Sequence, residues 1–306
     1  QKKGLESMLS FFRKSQTVAA WIGASVLTAL RGLMILFGEE ADTGYTSSSA
    51  FLIALIAAGA LLLVWELIPA LSRAGKKPLR QPKGIRGFYL LLGAAFAARC
   101  ADAVRELIVG IAGSAGPYSV RIPVLPFFEL ILSVLGVCFF LLLFLGGGAL
   151  RSRGAVLLAV GPVGIYMIRL VEEFLNLTMN PAVPAYALMI ISVGFSLLLL
   201  VRFGRLLLEG SAGLEFRTVA ALCSGALAMT TVWQIVFSLI SAPVFLPQAA
   251  VSEVVLDFAL LLFSLAAPRL IGEGGEGVPT VPERGCGRPA PRAARPASRG
   301  RYTPRH

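Results

Sequence analysis

Long apolar stretches follow one another along most of this chain, separated by short connections that often contain Pro or Gly. A helix needs about 20 apolar residues to cross the hydrocarbon core of a bilayer. Stretches of this length predict eight helices, at residues 17–37, 50–71, 87–112, 124–147, 155–177, 184–208, 218–240 and 247–267. The pattern therefore predicts an all-α, polytopic membrane bundle of about eight transmembrane helices.

The composition fits lipid rather than water as the main solvent. Hydrophobic residues make up 56% of the 306 residues, charged residues make up 15%, and the mean hydropathy is +0.78. Soluble domains average roughly 45–50% apolar and about 25% charged residues. So few charged residues could not cover the apolar surface of a soluble fold of this size. We therefore expect the lipid bilayer to be the main partner of the chain.

The positions of the basic residues predict an orientation. The net charge is +11, and 23 of the 28 Lys and Arg residues lie in the N-terminal segment, the even-numbered connections and the C-terminal tail. Among the remaining connections, only Arg121 is basic. The positive-inside rule then places both termini in the cytoplasm, in a plasma (inner) membrane. Because these residues lie between helices rather than on one face, we expect no nucleic-acid partner.

Three regions follow from this pattern. Residues 1–16 form a basic cytoplasmic segment, and residues 17–271 form the eight-helix transmembrane domain. Residues 272–306 are rich in Arg, Pro and Gly and poor in large apolar side chains. Such a segment cannot bury enough apolar surface to order itself, so we predict a disordered cytoplasmic tail.

The odd-numbered helices share a second pattern. Each starts at a basic residue and reaches a polar one 16 to 19 positions later. The pairs are Lys14 with Arg31, Arg86 with Arg105, Arg153 with Arg169, and Arg217 with Gln234. Four helical hairpins in the same orientation, a parallel internal repeat, would explain this spacing. The alternative is chance similarity between hydrophobic segments.

Charged residues inside the predicted helices are the main functional candidates. A charge near the bilayer centre costs roughly 2.5–3.5 kcal/mol on insertion scales, so it normally faces a partner or water. These charges fall late in the outward-running helices and early in the inward-running ones. We therefore predict a candidate solute or ion cluster in the outer half of the membrane. Its members are Arg31, Arg99, Asp102, Arg105, Glu129, Arg169, Glu172, Glu253 and Asp257.

One hypothesis is a transporter-like or solute-binding protein. In it, Arg105 and Arg169 contact an anionic group of a small charged solute, because guanidinium groups pair readily with carboxylates and phosphates. Glu129, Glu253 and Asp257 then hold a cation or a proton. This hypothesis predicts that water reaches the cluster.

The second hypothesis is a non-catalytic membrane scaffold or sensor. In it, the arginines Arg31, Arg105 and Arg169 are neutralised by the same three carboxylates as fixed ion pairs, and the chain contacts another membrane protein. The spacing of Glu253 and Asp257 bears on both hypotheses. Two acids four residues apart repel each other, so one is protonated or both meet an arginine from a neighbouring helix.

Missing residue types narrow the chemistry. The only histidine is His306, so haem ligation by histidine, an HExxH zinc site and a Ser–His pair inside the membrane are not expected. The cysteines are Cys100, Cys138, Cys223 and Cys286. Their spacing fits neither a disulfide framework nor a zinc site. We predict no cofactor, no metal and no catalytic residue, with an intramembrane carboxylate enzyme using Asp102 and Asp257 as the one enzyme class left open.

Small residues predict local helix geometry. Gly161 and Pro162 lie near the middle of the fifth predicted helix and predict a kink there. Gly225 and Ala221, four residues apart in the seventh predicted helix, predict a close approach between helices.

Overall fold

The structure is a computed structural model that describes residues 2–40, 43–45, 49–71, 77–78, 84–113, 124–145, 157–180, 183–209, 211–212, 214–240 and 250–270. Within these residues it contains eight α-helices and two short strands. The helices are α1 (Lys2–Phe37), α2 (Ser49–Leu71), α3 (Ile85–Gly113), α4 (Val124–Phe144), α5 (Val160–Met179), α6 (Pro184–Glu209), α7 (Leu214–Ile240) and α8 (Val251–Ala266), followed by a 3₁₀ turn (Ala267–Leu270). The strands β1 (Lys77–Pro78) and β2 (Ser211–Ala212) pair in antiparallel orientation.

Each of these helices overlaps one helix predicted from the apolar pattern, so the prediction of an all-α bundle is confirmed. The largest difference lies at the N-terminus, where α1 begins at Lys2 rather than at residue 17. Its 36 residues extend over about 54 Å at 1.5 Å per residue, beyond the roughly 30 Å of a hydrocarbon core. From residue 2 onwards, the predicted basic segment is therefore the first part of this helix. The predicted tail at 272–306 lies outside the described residues.

Six of the described helices are long and apolar enough to cross a membrane, namely α1, α2, α3, α4, α6 and α7. The other two fall short for different physical reasons. α5 carries Arg169, Glu172 and Glu173 within its 20 residues, and α8 is only 16 residues long. The structure thus supports a membrane-embedded helical protein, whereas a count of eight spans stays a prediction.

Six helices contact one another in a closed order. Each helix from α3 to α7 contacts the next, and α8 contacts α3, which completes the circuit that we call the helix ring. α1 and α2 pack together, and both also contact α7. Accordingly, 67% of an apolar 18-residue window within residues 215–240 of α7 is buried, against 11% of the corresponding window within residues 49–67 of α2. α7 therefore contacts α1, α2, α6 and α8, and α8 contacts α3, α7 and α1.

One end of the helix ring is filled by aromatic side chains. This aromatic core consists of Tyr89, Phe139, Phe203, Phe216 and Phe263, which come from five different helices. The ring of Phe203 lies 5.1 Å from that of Phe263 and 6.0 Å from that of Tyr89, between centroids. Pairs of this kind contribute about 0.5–1.5 kcal/mol beyond the area that they bury. Lipid tails are as apolar as these rings, so their close packing stabilises the bundle through dispersion contacts.

Glycines bring α4 and α5 into backbone contact. A Cβ atom added at Gly161 would lie 2.6 Å from both the amide nitrogen of Gly136 and the carbonyl oxygen of Leu132. The sequence predicts a kink at Gly161–Pro162; residues 157–158 are helical and a turn at residue 159 interrupts the helix just before α5 begins at Val160, so both residues lie in the first turn of α5. A proline there disrupts little, since amides of the first turn lack an intrahelical partner in any helix.

Candidate functional site

Arg99 joins three helices at the other end of the helix ring. Its Nη2 atom donates a 2.7 Å hydrogen bond to Oε2 of Glu129 on α4. Its Nη1 atom lies 3.0 Å from Oε1 of Glu253 on α8. Arg99 and Glu129 are only 4% and 3% exposed. A buried guanidinium needs such partners, because an unpaired charge in a low-dielectric environment is strongly unfavourable.

Arg169 forms the second connection, between α5 and α8. Its Nη1 and Nη2 atoms donate to Oδ1 and Oδ2 of Asp257 at 2.7 and 2.9 Å, a bidentate pair. The Tyr166 hydroxyl donates to the same Oδ1 atom at 2.9 Å. The guanidinium also lies 5.4 Å from the centroid of the Tyr166 ring, within the range of a cation–π contact. We refer to Arg99, Glu129, Arg169, Glu253 and Asp257 as the charged network.

The two acids of α8 each meet an arginine from another helix. Glu253 faces Arg99 of α3, and Asp257 faces Arg169 of α5. This arrangement is the second of the two alternatives that their four-residue spacing allowed. It fixes the rotation of α8 about its own axis, because either acid would lose its partner if the helix rotated.

The charged network contains more carboxylates than guanidinium groups. Three carboxylates, those of Glu129, Glu253 and Asp257, face the two arginines. On α5, one turn beyond Arg169, Glu172 is half-buried and Glu173 is buried. The arginines can therefore neutralise only part of the acidic side chains at this end of the bundle.

Several buried polar atoms beside the network have no hydrogen-bond partner among the described residues. They are Arg99 Nε, Glu173 Oε2, and the hydroxyl oxygens of Ser133 and Ser252. Ser133 lies one turn after Glu129 on α4, and Ser252 directly precedes Glu253 on α8. Buried polar groups are normally satisfied by protein or by water. These four atoms thus provide hydrogen-bonding capacity next to the ion pairs.

The remaining predicted residues lie elsewhere. Arg105 is exposed and Asp102 is half-buried, so the structure brings Arg99, rather than Arg105, to the carboxylates. The reason is helical geometry, because a residue six positions further along points about 240° around the axis. Arg31 lies outside the network, on α1, where it pairs with Glu39.

The sequence interpretation included Arg99 in the cluster but gave the pairing role to Arg105, and it missed Tyr166; each of the two residues has a recognisable signal. Arg99 continues a stripe of fully buried residues, Tyr89, Leu92 and Phe96, at spacings of three and four residues. A charge on such a stripe faces the interior of the bundle. Tyr166 lies three residues before Arg169, which places the two side chains on one face of α5.

Comparison with known proteins adds no family assignment. No protein-family model matches the chain, and neither a curated protein nor a solved structure shows significant similarity to it. Among the described residues, no group of three or more His, Cys, Asp or Glu side chains is arranged to hold a metal ion. Any functional proposal therefore depends on the geometry of the network itself.

Proposed function

We propose that this chain is a multi-pass membrane protein of transporter-like or solute-binding type. In this proposal, the carboxylates of the charged network hold a cation or a proton. An anionic group of the solute competes with these carboxylates for the guanidinium groups of Arg99 and Arg169. The observation that carries it is the sharing of three buried or half-buried carboxylates between two arginines from α3 and α5.

The excess of carboxylates supports this proposal physically. Desolvation of an unpaired carboxylate is unfavourable, so the third acid favours uptake of a proton or a cation. Glu253 is the most accessible member, with 15% of its side chain exposed, whereas the side chain of Glu129 is 4% exposed. The unpartnered atoms of Ser133 and Ser252 add neutral ligands beside them. Carboxylates within membrane spans often mark ion pathways.

For the topology we propose eight spans in four hairpins, with both termini in the cytoplasm. Two contacts support this arrangement. β1, in the α2–α3 connection, pairs with β2, in the α6–α7 connection. The Thr218 hydroxyl at the start of α7 donates to the carbonyl oxygen of Glu66 near the end of α2, at 3.1 Å. Both contacts join elements that the alternation puts on the cytoplasmic side.

Reporter fusions test this topology. A fusion after Gln81 is expected to report a cytoplasmic location, and a fusion after Tyr118 an extracytoplasmic one. The same compartment for both fusions would contradict the proposed alternation. Packing of consecutive helices as α1–α2, α3–α4, α5–α6 and α7–α8 is consistent with four repeated hairpins.

The rival function is a scaffold or sensor with static ion pairs, and one observation favours it. The Arg169–Asp257 pair is bidentate and receives a further hydrogen bond from Tyr166. Such a pair has little remaining capacity for a ligand. In that case the network would fix helix positions rather than bind a solute.

Accessibility to a membrane-impermeant thiol reagent distinguishes the solute-binding hypothesis from the scaffold hypothesis. In a background without native cysteines, Glu253→Cys and Arg169→Cys would be labelled from the extracytoplasmic side. Reaction at Glu253→Cys that a solute from a screened panel slows supports a binding site. Leu61→Cys is the control, because Leu61 is 72% exposed in the bundle but faces the predicted lipid region, where a thiol does not ionise. If neither network position reacts and the substitutions lower the stability of the protein, the binding site is contradicted and the scaffold hypothesis remains.

A further inference from the structure

Glu173 on α5 is a buried acid beside the charged network that forms no ion pair with a described residue. It is 8% exposed, and its Oε2 atom has no hydrogen-bond partner among the described residues. The side chain of Asn176, one turn further along α5, hydrogen-bonds to its carboxyl group. Arg169, one turn before it, has both Nη atoms on Asp257. The nearest guanidinium is therefore occupied by another acid.

The surroundings of Glu173 disfavour a negative charge on it. A buried carboxylate without an ion pair costs more free energy than a neutral carboxylic acid in the same place. Glu253 and Asp257 of α8 interact with Glu173 electrostatically and add repulsion between like charges, whereas Arg169 adds attraction. Since Arg169 is held by Asp257, the neutral, protonated form of Glu173 fits this arrangement best.

The helices packed against α5 supply no further cation beside Glu173. These helices are α4 and α6. The titratable residues of α4 are Glu129, which interacts with Glu172, and the exposed Cys138. Within residues 184–201 of α6, the titratable residue is Tyr186. Among the described residues no three acidic side chains are arranged to hold a metal ion, whereas a proton needs a single oxygen.

We propose that Glu173 and Asp257 share Arg169, and that the acid which is not paired with Arg169 carries a proton. In the arrangement described above, Asp257 holds the guanidinium and Glu173 carries the proton. This inference rests on the proposed function, because it assigns the proton of the charged network to a residue outside its five members. The excess acid of the network then has a defined position.

Helix geometry permits the exchange. Arg169 lies four residues before Glu173, so the two side chains lie on one face of α5. The guanidinium can therefore turn from Asp257 to Glu173 through changes of side-chain rotamer alone. When it does, the Glu173 proton passes to water, and Asp257 takes up a proton or the cationic group of a solute. The net charge of the buried groups stays the same.

The end of α5 gives this proton a short path to water. Glu173 lies six residues before the last residue of α5, which is about 9 Å along the axis. Asn176 and Met179 in this last part are exposed. Glu253, which interacts with Glu173, has 15% of its side chain exposed. In the proposed topology this end of α5 faces the extracytoplasmic side, so the proton exchanges with that side.

Infrared spectroscopy detects the proton directly, because a protonated carboxyl group has a carbonyl stretch separate from those of carboxylates and backbone amides. The full-length protein would be measured at neutral pH in a detergent without ester groups, since ester lipids absorb in the same region. We expect a carboxylic acid band that Glu173→Gln removes. Glu106→Gln is the matched control, because Glu106 is an exposed acid, and it should keep the band.

Asp257→Asn tests whether the two acids share Arg169. This substitution keeps the side-chain volume and an acceptor for the Tyr166 hydroxyl. The freed guanidinium should pair with Glu173, which then ionises, so the band should disappear while helix content is kept. The double variant Arg169→Gln/Asp257→Asn has no guanidinium to pair with, so Glu173 should keep its proton and the band should return.

Three results would overturn the proposal. The first is a spectrum without a carboxylic acid band, or with a band that Glu173→Gln leaves in place. The second is a band that persists in Asp257→Asn. The third is loss of helix content in Asp257→Asn, because Arg169 has then found no second partner. Thiol labelling at Glu253→Cys is independent of this band, so a failure of solute binding and a failure of the proton assignment are distinguishable.

Discussion

The two ends of the helix ring are held together by different kinds of contact. At the aromatic end, rings from α3, α4, α7 and α8 pack around Phe203 of α6. At the charged end, two arginines and three carboxylates connect α3, α4, α5 and α8. On α3, Tyr89 and Arg99 are ten residues apart, which is about 15 Å along the axis. The same helices therefore take part in both ends.

This difference shows what each kind of contact specifies inside a membrane. Aromatic packing favours any arrangement that fills the space, because lipid offers apolar neighbours of similar quality. Ion pairs specify partners, since a helix in the wrong rotation leaves a charge unpaired in a low-dielectric environment. For α8, the aromatic end contributes dispersion energy through Phe263, and the charged end pairs it with Arg99 of α3 and Arg169 of α5.

Loss of Asp257 should have the largest effect. Asp257→Ala leaves Arg169 buried without its bidentate partner, and we expect the free energy of unfolding in micelles to fall by about 3–5 kcal/mol. Denaturant-induced unfolding, followed by helix content, measures this loss. The double variant Arg169→Met/Asp257→Leu should recover most of it, because no charge remains unpaired. A double variant as unstable as Asp257→Ala would contradict a role of charge pairing at this end.

Truncation at the centre of the aromatic core should cost slightly less. Phe203 is fully buried, and Phe203→Ala should lower the free energy of unfolding by about 3 kcal/mol through the cavity that it leaves. Phe203→Leu keeps most of the volume and should cost less than about 1.5 kcal/mol. The same unfolding measurement applies. Equal losses for both substitutions would mean that the ring stacking, rather than the filled volume, stabilises this end.

Substitution of one or both carboxylate partners of Arg99 tests whether the network has more carboxylates than it needs. Glu129→Gln should cost about 1 kcal/mol, because Arg99 keeps Glu253. The double variant Glu129→Gln/Glu253→Gln leaves Arg99 unpaired and should cost about 3 kcal/mol. Two additive, equal losses would show that neither carboxylate can replace the other, and thus that the network has no acid in excess.

The smallest effect is expected at Arg105. Its side chain is exposed, so Arg105→Gln should change the free energy of unfolding by no more than about 0.5 kcal/mol. The matched variant Arg99→Gln removes the partner of two carboxylates and should cost several times more. A larger loss of stability for Arg105→Gln than for Arg99→Gln would contradict the assignment of Arg99 as the arginine that pairs with the carboxylates.

Sequence reasoning reached the charged residues but not their pairing. It found that Glu253 and Asp257 need partners, because i,i+4 spacing is a local property of one helix. It assigned Arg105 an anion-binding role, although helical periodicity puts Arg99 on the buried stripe with Tyr89 and Phe96. It also grouped Arg31 with the others from its depth alone. Depth along the membrane normal gives no information on which helices are neighbours.

The amino-acid pattern alone determined the helical class and the approximate bounds of each helix except the start of α1, because lipid requires every backbone group to bond within its own helix. Tertiary structure decided which of those helices adjoin. The ion pairs that connect α8 with α5 and α3 join residues 88 and 154 positions apart along the chain, Arg169 with Asp257 and Arg99 with Glu253. It also separated Arg31 from the charged network and placed it beside Gln234, because α1 packs on α7. Contacts of this range arise only when the helices assemble.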